Sequence, residues 1–478
     1  MEISSLIIEH INTFEEDDQI VFDGKEGITK SDFLQLVELI RESIEDSYAV
    51  IGILVERSAL YIGLYLTLLE RGITIVPLNT EWTDEFRSYI LTTSGCTHTI
   101  QINKELQAER NAELGYSKIK IKSCSERRYK WAKEISYIIF TSGSTGKPKG
   151  VCISKDALEE YAEAFNFGTN DSSGGYHLIT GEITFDIIIA DLIIALKSRK
   201  ALYITRNKAN IFEAAKLLLD PRITSGYFVP SLLQEVCTLL SKRSKKTRTK
   251  ELILYSGGEK LTVFLCRQLL DTFPAITLFN MYGPTESTVN CLGCKISQED
   301  IEINQIPTGD KFENMNYYFD NLDTPCSPGR SGELLLSGPQ LMEGYVGSDA
   351  PGKGIMNDHT GYKYYATGDI FYVGENNKFY FKGRRDSEIK LKGNRINISA
   401  LEEYCMKESM GEVIMFIVKD DLLYCFIYKS NCSNERLREV ILKQYPSFCI
   451  PYKIIDLRIL PRNKNGKLDK LQLESLAK

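Results

Sequence analysis

Residues 50–55 (Val-Ile-Gly-Ile-Leu-Val) are apolar without alternation, the pattern of a strand buried on both faces of a parallel sheet. Apolar positions over 59–71 recur at helical spacing, Gly72 stands where a C-cap glycine belongs, and 73–78 predicts the next strand. The same grammar returns at 201–205 and 211–219, and again at 252–255, 262–273 and 276–279. Strands alternating with helices predict an α/β fold with a parallel sheet covered by helices. From about residue 411 the texture changes. Residues 413–418 and 422–428 predict a hairpin around Lys419-Asp420-Asp421, with helices over 400–408 and 434–444, hence a small α+β unit. The charged, glycine-containing stretch Gly383-Arg384-Arg385-Asp386 is the expected boundary.

Composition narrows the class. In 478 residues, 43% are hydrophobic and 26% charged, with 21 Phe and 26 Tyr, enough for a large core and unlike disordered, collagenous or coiled-coil chains. Lys and Arg number 58 against 64 Asp and Glu, so the basic footprint of a nucleic-acid binder is missing. The longest apolar stretch, 187–196, is about half a membrane span and is broken by Asp191. The amino terminus has no basic, then apolar, leader, and a cytoplasmic enzyme with no membrane role is expected. Twelve cysteines are too sparse for a disulfide scaffold, and the lone pair Cys291 and Cys294 has no second pair at zinc spacing, so buried reduced thiols are expected. Six basic residues within 242–250 read as a solvated loop.

The candidate chemistry is concentrated in 137–150, Tyr-Ile-Ile-Phe-Thr-Ser-Gly-Ser-Thr-Gly-Lys-Pro-Lys-Gly. A strand runs into a loop rich in glycines, hydroxyls and lysines. Glycines let backbone N–H groups curl into an anion nest, while the hydroxyls and lysines add donors and positive charge. Such a loop suits a polyphosphate, and its spacing does not fit a Walker A loop.

This segment closely resembles the signature loop of the adenylate-forming superfamily, which includes acyl-CoA synthetases, luciferases and adenylation domains of nonribosomal peptide synthetases. Further similar motifs follow in family order: 69–78, Ser256-Gly-Gly-Glu-Lys-Leu261, Asn280-Met-Tyr-Gly-Pro-Thr-Glu286, 332–338 with Gly344-Tyr345, Tyr365-Ala-Thr-Gly-Asp369, Gly383 to Lys390, and Pro461 to Lys467. The resemblance implies activation of a carboxylate by ATP to an acyl-AMP with pyrophosphate released, then in most members acyl transfer to a thiol. ATP and Mg²⁺ are the cofactors it implies. It places Thr141, Ser142, Gly143, Ser144, Thr145, Gly146, Lys147 and Lys149 over the β- and γ-phosphates and Thr285 near the α-phosphate. Glu286 is the implied Mg²⁺ ligand, Tyr282 the ring that stacks on adenine, Asn280 the partner of its amino edge, and Asp369 the ribose carboxylate with Arg384 beside it. Gly258 and Phe381 join the nucleotide site, Phe381 standing where many relatives carry a ribose-contacting tyrosine. Lys467 matches the lysine that reaches both the substrate carboxylate and the ribose oxygen, so Lys467, Glu286 and Thr285 are the implied catalytic residues. Asp386 matches a hinge, about which the small domain turns so that Lys467 leaves and the loop around Lys392-Gly393 enters. The implied layout is a large domain over 1–382, a hinge over 383–386 and a small mobile domain over 387–478.

The subclass turns on Thr184-Phe185-Asp186-Ile187. In peptide-synthetase adenylation domains an acid after this phenylalanine binds the α-ammonium of an amino acid; the plainer alternative for Asp186 is a helix N-cap. Carried over with Phe185 and Asp186, the other pocket positions are Ile187, Ala190, Tyr227, Tyr255, Gly257, Met281, Val289 and Asn290. Small Ala190 and Gly257 predict room for a medium or large side chain, neutral because no second acid is present. Asn397 departs from a glutamate common in the family, while Glu402 matches a later acid. The resemblance runs from residue 28 to Lys467, so a free-standing adenylation enzyme is expected, loading a separate phosphopantetheinylated carrier protein, with room for a small activator protein. An acyl-CoA or aryl-acid ligase, or a D-alanyl-carrier ligase, of the same fold is the alternative.

Overall fold

The computed structural model describes residues 2–44, 49–102, 119–124, 133–141, 148–169, 174–207, 210–241, 251–346, 355–358, 361–385, 388–391, 394–409, 413–419, 422–429, 433–445, 449–463 and 468–477. The basic stretch 242–250, the hinge residue Asp386 and the loop Lys392-Gly393 lie outside them.

Two sheets organise the first two thirds of the chain. In the seven-stranded sheet the order is Gly344–Val346, Lys149–Ser154, Ile135–Thr141, Thr74–Pro77, Val50–Leu54, His98–Ile102, Ile119–Ser123. Its central members are parallel and its flanks antiparallel. The nine-stranded sheet runs Asp310–Lys311, Leu292–Lys295, Ile276–Tyr282, Leu252–Gly257, Ile223–Phe228, Tyr176–Ile179, Ala201–Ile204, Gln19–Phe22, Gly27–Thr29, and is parallel from Ile276–Tyr282 to Gln19–Phe22. The alternating grammar is thus shared between two sheets, as an α/β fold of βα-type sheets flanked by helices requires.

Helix Ala59–Glu70 touches strands of both sheets and is buried around almost its whole circumference. Its sequence permits this because the faces are apolar all round, and the hydroxyl of Thr67 donates to the Gly63 carbonyl at 2.9 Å. Ser58 starts the helix by accepting from the Tyr61 N–H, and Gly72, at φ 65°, lets the chain turn into Thr74–Pro77. Truncating a core leucine of this helix to alanine costs about 2–5 kcal/mol.

Helix Ile187–Ser198 is the second fully buried helix. Its one acid inside the apolar run, Asp191, meets His177 of strand Tyr176–Ile179: Asp191 Oδ1 lies 2.8 Å from His177 Nε2, and His177 Nδ1 lies 2.9 Å from Ser225 Oγ. All three are sealed from solvent, so this acid–imidazole–hydroxyl row is core chemistry, not a reaction site. Burial, with Lys200 nearby, pushes the His177 imidazole down to about 3.

A third, five-stranded antiparallel sheet comprises Asn316–Phe319, Ser331–Ser337, Lys363–Val373, Ile355–Asn357 and Phe379–Arg384. Beyond it, Val413–Lys419 and Leu422–Tyr428 pair antiparallel as expected, and Lys453–Leu457 adds a parallel third strand. Helices Ile398–Ser409 and Asn434–Gln444 pack over this small sheet in a core of their own.

Candidate functional site

The site gathers at the carboxyl ends of Ile223–Phe228, Leu252–Gly257 and Ile276–Tyr282, the edge of a parallel sheet where crevices form. Register pairs Tyr227 with Tyr255, Tyr255 with Phe279, Ser256 with Asn280 and Gly257 with Met281. After Tyr282 the chain enters Gly283-Pro284 and the short 3₁₀ turn Thr285–Ser287, then passes through Thr288 and Val289 at φ 56° and 68°. Two consecutive β-branched residues in the left-handed region cost of order 1–3 kcal/mol each and are held by their surroundings. The Thr288 hydroxyl donates to the Gln340 carbonyl at 2.6 Å.

One group of expected residues meets around Glu286, which is buried. Its Oε1 accepts from the Tyr345 hydroxyl at 2.6 Å and lies 3.7 Å from Lys149 Nζ, which stands 3.6 Å from the Tyr345 ring centroid. Burial and the Glu286 carboxylate push the Tyr345 phenol far above its ordinary range, so it stays a proton donor. Lys149 comes from strand Lys149–Ser154, paired across Thr141 on one side and with Gly344–Val346 on the other. Thr141 and Lys149 thus clamp the ends of the glycine-rich loop, and the buried Thr141 Oγ1 has no hydrogen-bond partner among the described residues. Ser142, Gly143, Ser144, Thr145, Gly146 and Lys147 lie outside them. Thr285, half-buried, precedes Glu286 on the 3₁₀ turn.

A second group joins two sheets. The Tyr282 hydroxyl donates to Asp369 Oδ2 at 2.5 Å, and Arg384 Nη1 lies 3.4 Å from Asp369 Oδ1. Asp369 and Arg384 are direct partners across the antiparallel strands Lys363–Val373 and Phe379–Arg384. Asn280 Nδ2 donates to the Pro307 carbonyl at 2.8 Å, leaving Oδ1 as its acceptor. The Phe381 ring packs on Phe371 at 5.5 Å, and Phe371 meets Tyr282 edge-on at 4.9 Å. Gly258, exposed at φ 81°, takes a conformation that favours glycine.

The third group is the pocket floor. The rings of Tyr227, Tyr255 and Phe279 stack in a row, with centroids 6.3 and 5.2 Å apart. Asn290 bridges two phenols: its Nδ2 donates to Tyr227 Oη at 3.2 Å and its Oδ1 accepts from Tyr161 at 3.1 Å. The Tyr255 hydroxyl donates to the Phe167 carbonyl at 2.8 Å. A Cβ at Gly257 would lie 2.1 Å from Tyr227 Oη and 2.8 Å from the Met281 carbonyl, so the tyrosine fills the volume that glycine frees. Ala190, Met281 and Val289 are buried, and Phe185 and Ile187 half-buried. Asp186 is buried at the mouth of helix Ile187–Ser198, but its side chain makes no capping hydrogen bond, which removes the plainer reading of this acid. Burial first, and then the Asp186 charge, pushes the Tyr65 and Tyr137 phenols up; burial, then Tyr227 and Tyr137, and then Asp186 push up that of Tyr161. No local motif foretold these three, which come from three different elements.

Lys467, like Asp386, lies outside the described residues. Cys291 and Cys294 are buried, their thiols pushed up to about 12 by burial. Among the described residues no group of three or more His, Cys, Asp or Glu could hold a metal ion. A lone buried carboxylate such as Glu286 suits Mg²⁺ completed by phosphate oxygens and water. No described helix is long and apolar enough to cross a membrane.

Comparison with known proteins gives the family. A family profile described as AMP-binding enzyme matches residues 44–346. Bacitracin synthase 1 of Bacillus licheniformis is 29% identical over 439 residues, covering 89% of this chain but 8% of the synthase, so the chain spans a small part of that relative. D-alanine–D-alanyl carrier protein ligase of the same species is 29% identical over 370 residues, 73% of this chain and 72% of the ligase. Klebsiella oxytoca NpsA, solved with 3-hydroxyanthranilyl-AMSN, shares the fold at TM-score 0.78 and 18% identity, over 100% of this chain and 99% of that one. The family match covers well over half of the sequence, including the phosphate-type loop, Asp186 and Glu286, and the chain belongs to the AMP-binding enzyme family and with it to the adenylate-forming ligases.

Proposed function

We propose that the chain activates the carboxylate of an amino acid with ATP, forming an aminoacyl-AMP and releasing pyrophosphate, and then passes the aminoacyl group to the phosphopantetheine thiol of a carrier protein. The observation that carries this is Asp186. This carboxylate follows Phe185, is buried at the start of helix Ile187–Ser198 and does not cap it. An α-ammonium is a cation that an amino-acid substrate would bring to such an acid.

Around it the roles divide by geometry. Asn280 offers Oδ1 to the adenine amino group, Tyr282 its ring to the base, and Asp369, held between Tyr282 and Arg384, its carboxylate to the ribose hydroxyls. Lys149, from the clamp of the glycine-rich loop, brings positive charge to the phosphates, and Glu286 holds Mg²⁺. Bound there, Mg²⁺ would supply neutralising charge to the phosphates. Lys467 neutralises the attacking carboxylate, on a small domain over 387–478 that turns about 383–386. The filled space beside Gly257 favours a small amino-acid side chain over the medium or large one expected from sequence. The D-alanine ligase relative points the same way.

The test is ATP–pyrophosphate exchange across the proteinogenic amino acids, D-alanine, and a set of aryl and fatty acids. Strong exchange with one small amino acid is expected. Exchange confined to aryl or fatty acids would overturn the amino-acid reading and move the chain to the acyl-CoA branch.

A further inference from the structure

Arg462 lies in the carboxyl-terminal part of the chain, yet its guanidinium is bound by helix Pro230–Ser241. Nε and Nη2 donate to Glu235 Oε1 at 2.9 and 2.8 Å, Nη2 also donates to the Ser231 carbonyl at 2.7 Å, and Nη1 donates to Ser231 Oγ at 2.5 Å. The two charged side chains are only 17% and 12% exposed, so this is a desolvated, charge-assisted fork rather than a surface ion pair. A second contact to the large sheets, Lys260 Nζ to Glu403 Oε2 at 2.7 Å, is 37% and 54% exposed and holds far less firmly.

The backbone behind Arg462 is closed as well. The Asp469 N–H donates to the Pro461 carbonyl at 2.8 Å, and Arg462 pairs antiparallel with Leu468. The anchored residue therefore occupies one rung of a ladder whose opposite rung directly follows Lys467 in sequence. At the other end of the anchor, Ser231 opens helix Pro230–Ser241 and follows Tyr227 of strand Ile223–Phe228 by four residues in sequence.

We propose that Arg462 is a positioning residue for the adenylation step: its fork on Glu235 and Ser231 fixes where the Lys467-bearing segment enters and leaves, and so delivers that lysine to the carboxylate and the α-phosphate. This rests on the reading of Lys467 given above. A reacting cation on a tethered unit gains rate from being held in place, and its loss falls on turnover rather than on nucleotide affinity. Arginine is required because lysine keeps the charge but not the fork.

The experiment compares Arg462→Ala, Arg462→Lys, Glu235→Gln, Arg462→Glu, the double variant Arg462→Glu/Glu235→Arg, and Lys467→Ala. The assay is pyrophosphate exchange with the most active acid of the panel above. Arg462→Ala and Glu235→Gln should each lower kcat about 10- to 100-fold with the ATP KM within about threefold, and Arg462→Lys should fall between. The double variant should recover part of what Arg462→Glu loses, which shows that a folded variant was measured. Near-wild-type turnover in Arg462→Ala, beside an inactive Lys467→Ala, overturns the anchor alone. Full activity in Lys467→Ala overturns the lysine reading and the anchor with it. Independently of any substrate, Arg462→Ala should raise deuterium uptake across Pro230–Ser241, and unchanged uptake overturns the anchor.

Discussion

The Tyr282 hydroxyl and Asp369 Oδ2 meet at 2.5 Å, although the two residues belong to different sheets. Burial first, and then the Asp369 charge, pushes the Tyr282 phenol far above its ordinary range, so it donates at every pH at which the fold survives. This one bond holds the Asp369 carboxylate from the side opposite Arg384. Tyr282→Phe keeps the ring but frees Asp369 to turn. A hydrogen bond to a charged group is worth about 1.5–3 kcal/mol, so the ATP KM should rise roughly tenfold with kcat nearly kept. Steady-state kinetics at varied ATP checks this, and an unchanged KM removes the hydroxyl from nucleotide binding.

Asp186→Asn should act on the amino group of the substrate and nothing else. Loss of a charged hydrogen bond predicts about 10- to 100-fold weaker binding of the amino acid, against little change for its des-amino analogue. Competition of both ligands in the exchange assay gives the ratio. Equal weakening would make Asp186 a structural acid.

His177→Ala should unfold the protein more readily while leaving the site chemistry alone. Asp191 would lose the imidazole at 2.8 Å and remain buried. Leaving a buried polar group without its hydrogen-bond partner costs about 1–3 kcal/mol, read as a lower denaturant midpoint. Acid should act in the same direction. With the imidazole pushed down to about 3, the unfolded chain takes up a proton that the folded one refuses, so stability is lost as pH falls below the ordinary 6.5.

Glu402 predicts the opposite slope in the small unit. It accepts from the Phe416 N–H at 2.8 Å, and burial pushes its carboxyl up to about 7, against the pull of that bond and of Lys470 and Lys260. The folded state therefore holds its proton longer than the unfolded state does. Stability contributed by the protonated form is present below about the ordinary 4.5 and is lost as pH rises through about 7. Hydrogen exchange in Val413–Lys419 as a function of pH should show this slope in the wild type and flatten in Glu402→Gln.

Local pattern carried the elements well where neighbours in sequence decide the outcome. Helix Asn434–Gln444 and the hairpin of Val413–Lys419 with Leu422–Tyr428 were legible because capping and alternation are local signals. The antiparallel sheet holding Asp369 and Arg384 was not, since its pairings shift register and its strands mix buried with half-buried positions. Of the site, the motif positions were legible, and Lys149 does meet Glu286, as Tyr282 meets Asp369. What sequence could not supply is volume. Gly257 reads as an opening until the Tyr227 hydroxyl is seen to occupy it. Nor could it foretell that Tyr161, far away in the chain, would bond Asn290, or that Asp191 would find His177.

The row of Tyr227, Tyr255 and Phe279 bears on how this enzyme could change its diet. Adjacent strands fix the three rings at a shared height, and each leans on the next. Single exchanges of pocket letters copied from a relative would meet a neighbour that has not moved, and contacting positions combine non-additively. A new preference is therefore reached by replacing the aromatic row together with Asn290 as one block, and variant libraries built one position at a time would miss it.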